Sequence, residues 1–65
     1  MTLTMTLENL IELAQQTVDA NHYEVLNAYT ETLPNAPINN GAMVEFILDE
    51  FKKELERKNI TLKVI

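Results

Sequence analysis

The sequence predicts an α+β fold, mostly helical, in which short N- and C-terminal strands flank two or three helices in the order β-α-α-α-β. Three observations predict it. Apolar residues recur at helical spacing through most of residues 7–58, and both ends instead alternate residue by residue. Both prolines and the single glycine fall in one stretch, "LPNAPINNG", between two helical runs. Sixty-five residues make one small domain, expected to span residues 1–65.

At the N-terminus, "TLTMT" sets Thr2, Thr4 and Thr6 against Leu3 and Met5. Period-two alternation with threonine is the mark of a half-buried strand. From Leu7 the period lengthens, and Leu7, Leu10, Ile11, Ala14 and Val18 trace an amphipathic helical face. Thr6 stands where an N-cap belongs, and Glu8 lies near the positive end of the helix dipole. Glu8, Glu12, Gln15 and Asp19 form the opposite ridge, which reads as a solvated face.

"DANHYE" offers a break. Asn21 is placed to end one helix and cap the next, with Glu24 three residues on completing a capping box. An unbroken helix is the alternative, since Val18, His22, Val25, Leu26, Tyr29 and Leu33 keep one register; two helices with a short turn near Asn21 are preferred. Either way the helix ends before Pro34, which disfavours helical geometry in the residue before it.

In "LPNAPINNG", Pro34 stops one helix, Pro37 stiffens the crossing, and Asn39 or Asn40 caps the next. Gly41 falls in or just before the first turn, where a missing side chain would permit close approach. The stretch reads as interhelical punctuation rather than a ligand loop. "GAMVEFILDEFKKELERKN" then carries a wide stripe of Met43, Val44, Ile47, Leu48, Phe51 and Leu55, with Asn59 as the expected C-cap. Asp49–Lys53 and Glu54–Lys58 are spaced for i, i+4 ion pairs. "ITLKVI" closes the chain with a strand pattern.

Composition narrows function. A chain of this size buries only about 60 % of its unfolded surface, and small domains usually need a staple. No cysteine is present and one histidine cannot build a structural zinc site. Oligomerisation remains, and a homodimer is expected. A two-stranded sheet with open edges points the same way, because an open edge templates another chain.

The net charge of −5 conceals a strong polarity. Eight of the ten acidic residues precede position 52, and all five basic residues (Lys52, Lys53, Arg57, Lys58 and Lys63) follow position 51. Nucleic-acid affinity comes mainly from cations against phosphates, so most of this surface is expected to repel a polyanion. No apolar run reaches the roughly 20 residues of a membrane span, and the N-terminus has no basic leader before an apolar run. The expected location is the cytoplasm.

Catalysis is not expected. His22, the one histidine, has Asp19 three residues before it and Glu24 two after, but the chain has no serine or cysteine nucleophile. One glycine cannot form a phosphate-cradling loop, and no carboxylate spacing converges on a metal. No cofactor is implied.

Two aromatics depart from their helical stripes. At about 100° per residue, Phe46 points away from Met43, Ile47, Phe51 and Leu55 and toward Asp49, Glu50, Lys53 and Arg57. Tyr23 lies opposite Val25, Leu26 and Tyr29. An aromatic among charges is an interface anchor, a scattered exposed residue, or a packing contact with a neighbouring helix. The candidate partner-binding residues are therefore Phe46, Asp49, Glu50, Lys53 and Tyr23. The expected function is that of a small acidic protein-binding regulator or inhibitor of the phage or mobile-element type. Two rivals are a dimeric DNA-binding or antitoxin-like regulator and a structural subunit that completes a partner's sheet.

Overall fold

The computed structural model describes residues 1–65 and has five elements: β1 (Thr2–Met5), α1 (Leu7–Ala20), α2 (His22–Thr32), α3 (Asn40–Arg57) and β2 (Thr61–Val64). The order is the β-α-α-α-β of the sequence reading, and the chain does break at Asn21.

Thr6 caps α1: the Asn9 N–H donates to its Oγ1 at 3.1 Å. Leu10, Ala14 and Val18, one i, i+4, i+8 ridge, are buried, and Ala14 is fully inaccessible. With only a methyl group there, α3 can lie close along that ridge. Leu7 and Ile11 belong to the adjacent ridge and remain 54 % and 43 % exposed. The expected α1 face was therefore too wide on that side.

Asn21 joins α1 to α2 without a loop. Its N–H donates to the Thr17 carbonyl at 3.0 Å, and its own carbonyl accepts from Val25 N–H at 2.9 Å. The expected capping box is absent. Asn21 has φ −127° and ψ 41° rather than an extended N-cap conformation, and makes no side-chain cap bond. Its side-chain Nδ2 is instead turned back toward the Thr17 carbonyl at 3.4 Å.

α2 buries Val25 and Tyr29 and stops at Leu33, whose N–H donates to the Tyr29 carbonyl at 2.8 Å. Asn39 caps α3, accepting from Ala42 N–H at 2.8 Å. Gly41 is not required for a close approach: a Cβ there would meet only Asn39 Oδ1, at an ordinary 3.5 Å.

Lys58, not Asn59, is the C-cap of α3. Asn59 follows with φ 58°, and two bonds close the end: Asn59 N–H to the Glu56 carbonyl at 3.0 Å and Ile60 N–H to the Leu55 carbonyl at 2.8 Å. This is the Schellman pattern, in which a left-handed residue satisfies the last carbonyls and reverses the chain. The reversal sends β2 back to pair with β1.

The two strands run parallel, with Thr2 opposite Thr61, Leu3 opposite Leu62, Thr4 opposite Lys63 and Met5 opposite Val64. Strand alternation places Leu3, Met5, Leu62 and Val64 on one face and Thr2, Thr4, Thr61 and Lys63 on the other. All three helices form the crossover between the strands.

The core of Ala14, Val18, Val25, Tyr29, Met43, Val44 and Ile47 sits where the three helices meet. At the other end, β1, α1 and α3 border a smaller, open and mainly apolar cleft of about 210 Å³ that includes Leu3, Met5, Leu10, Leu13, Phe51 and Leu55. Only eight residues are buried, so much of the apolar content stays on the surface.

Candidate functional site

Phe46, Asp49, Glu50 and Lys53 stand at i, i+3, i+4 and i+7 on α3 and share one ridge. The Phe46 ring is half-buried and meets Tyr29 edge-on, with centroids 5.6 Å apart and planes at 90°. It does not point freely outward. α3 is covered on two sides, by α1 along one flank and α2 along another, so its buried arc is wider than a single stripe implies. Of the three readings of Phe46, packing against a neighbouring helix accounts for one side of the ring.

Lys53 pairs with Glu50 at 3.6 Å rather than with Asp49. On the same helix Glu54 takes Arg57 at 2.9 Å and Lys58 at 3.6 Å. The cations are 63–72 % exposed and the two glutamates 43–46 %, and such surface pairs contribute little to stability. Asp49 has no ion-pair partner within the chain and is exposed. Tyr23 is 79 % exposed at the start of α2, and its ring neighbour is His22 at 5.6 Å. Tyr29, not Tyr23, is the α2 aromatic that meets the Phe46 ridge.

Gln15 was read as part of a solvated acidic ridge, but it is a link between elements. Its Nε2 donates to Asn40 Oδ1 at 2.9 Å and to Asp19 Oδ1 at 3.0 Å, and Asn40 Nδ2 returns a bond to Gln15 Oε1 at 2.7 Å. The amide pair fastens the middle of α1 to the first turn of α3, beside the Asn39 cap.

A larger open cleft, about 570 Å³, runs along the outer edge of β2. Its walls are Lys52, Leu55, Glu56 and Asn59 from α3 and Ile60, Thr61, Leu62 and Val64 from β2. Lys52, Leu55, Glu56 and Asn59 repeat the i, i+3, i+4, i+7 spacing on another side of α3. Neither Lys52 nor Glu56 joins any of the chain's three ion pairs. Sequence reasoning passed over both as members of "KKELERK". The available signal was their order, because Lys before Glu at i, i+4 is the weaker arrangement for pairing within a helix.

No three of the histidine, aspartate and glutamate side chains come together in a group able to hold a metal ion. No helix is long and apolar enough to cross a membrane. Compared with protein-family models, curated proteins and solved structures, the chain matches none. Its function is therefore read from its own residues.

Proposed function

We propose that this chain is a small acidic protein-binding module, a regulator or inhibitor of phage or mobile-element type that acts as a homodimer by covering a surface of a partner protein. One observation carries the reading. Phe46 keeps part of its ring accessible after packing on Tyr29 and is flanked on its ridge by Asp49, Glu50 and Lys53. A ring fixed from behind by a second aromatic loses little freedom on binding, and charges around it give orientation and exclude wrong partners. Tyr23 adds an exposed aromatic on α2.

The test is affinity capture from the source cells with the tagged chain, repeated with Asp49→Lys and Lys53→Glu. Both substitutions lie on the exposed side of α3 and leave the core intact. The expected result is a protein retained by the native chain and lost from both variants. Equal retention by all three would remove this ridge as the contact. Phe46→Ala is less informative alone, because it also withdraws the support on Tyr29.

The open sheet edges favour one rival, a subunit that completes a partner's sheet. That reading predicts capture unaffected by the ridge variants and abolished by a proline placed in a strand.

A further inference from the structure

We infer that the outer edge of β2 receives a second copy of this chain, antiparallel, with Leu62 opposite Leu62 of the partner subunit. The inference rests on the self-association part of the function proposed above and gives it a surface, a register and a charge pairing.

Backbone direction supplies the first argument. The Thr61 N–H donates to the Met1 carbonyl and the Ile65 N–H to the Met5 carbonyl, each at 2.9 Å. Alternate residues of a strand direct their peptide groups to opposite edges, so the N–H groups of Leu62 and Val64 face the open side. Ile60 N–H is already committed to the Leu55 carbonyl, which leaves its carbonyl free to accept. A two-fold axis at Leu62 lets the two Leu62 residues exchange both bonds and lets each Val64 N–H donate to Ile60 of the partner subunit.

Side chains choose between registers. The Leu62-centred pairing sets Ile60 against Val64 of the partner subunit, apolar against apolar on one face. It sets Lys63 against Thr61 of the partner subunit on the other. Moving the axis to Lys63 places that lysine directly opposite its own copy, and like charges directly opposite destabilise a pair.

The cleft beside β2 supplies the third argument. The same axis runs α3 antiparallel to its copy on the same side of the extended sheet, within the about 570 Å³ that Leu55, Ile60, Leu62 and Val64 leave open. Lys52 and Glu56 are the charged residues of that cleft, and neither is paired within the chain. Under the two-fold this side of α3 faces its own copy, so the Lys52 and Glu56 charges of one subunit face the opposite charges of the partner subunit across the cleft. The result is a four-stranded sheet in the order β1-β2-β2-β1, with the β2 edge removed from solvent.

Sedimentation velocity of the full chain over a concentration series tests this, with circular dichroism to verify folding. The native chain is expected to sediment as a dimer. Val64→Pro deletes only an edge-facing N–H and is expected to weaken the dimer more than about tenfold while leaving helix content unchanged. Lys52→Glu and Glu56→Lys should each weaken self-association, and an equimolar mixture of the two should recover dimers. Recovery on mixing places the pair between subunits, which a change in single-chain stability would not produce. A dimer that tolerates Val64→Pro and both reversals overturns the β2 edge but leaves the homodimer standing. A native chain that stays monomeric at about 100 µM, well above a micromolar Kd, overturns both.

Discussion

The Tyr29 hydroxyl donates to the Pro37 carbonyl at 2.6 Å, tying the end of the interhelical crossing to the buried face of α2. The Tyr29 ring is 2 % exposed, and Phe46 stands against it from α3. One side chain therefore joins α2, the 33–39 segment and α3. Tyr29→Phe keeps the ring and loses the bond, and should cost about 1 kcal/mol, read as a lower denaturant midpoint at constant m-value. Faster hydrogen exchange confined to residues 34–39 should accompany it. Tyr29→Ala also empties the core and should cost about 3–5 kcal/mol. That is a large share of the roughly 3–10 kcal/mol expected for a domain of this size.

Gly41 is the second residue of α3, has no positive φ, and faces no obstacle that a methyl group would strike. Gly41→Ala should stabilise the protein by about 0.4–1 kcal/mol, mainly by reducing the freedom of the unfolded chain. A thermal midpoint raised by a few degrees is the expected reading; a lower one would mean that the first turn needs glycine after all.

Asn59 behaves in the opposite sense. At φ 58° it occupies the region that costs an ordinary L-residue about 1–2 kcal/mol and glycine almost nothing. Asn59→Gly should be close to neutral in urea unfolding, whereas Asn59→Val should destabilise by about 1–2 kcal/mol. Equal stability of the two variants would contradict the Schellman geometry.

The Gln15–Asn40 pair calls for a double-mutant cycle. Each alanine variant alone should be mild because both amides are near solvent, and the coupling between them should be about 0.5–1 kcal/mol. Zero coupling would show the reciprocal amide bonds to be energetically idle.

Periodicity made the helices and strands legible, and terminators made the boundaries legible. Thr6 was readable as a cap, and the α3 cap as one of Asn39 and Asn40, because such side chains need only a local N–H three residues on; the structure selects Asn39. Asn21 defeated the same rule. The capping box assumes an extended residue, whereas here the neighbouring helices share one residue whose backbone serves both. Leu7 and Ile11 were read as buried because a helical wheel shows which residues share a face and not how wide the covering partner is. The converse error touched Phe46, whose cover comes from α2 through Tyr29. Parallel pairing of β1 with β2, and the open cleft beside it, depend on where the crossover returns the chain. Local patterns do not carry that information.

The strand pairing also sets an order of events. Residue 2 pairs with residue 61 across the whole crossover, so the ladder is the longest-range contact in the molecule. Closing so long a loop has an entropic cost with no local compensation. The helices are therefore the early structure and the sheet the late one. During synthesis β1 must wait, unpaired, until residues 61–64 have emerged. "TLTMT" has no charge to discourage a stray strand during that interval. Its three threonines are strand formers and favour premature pairing rather than oppose it.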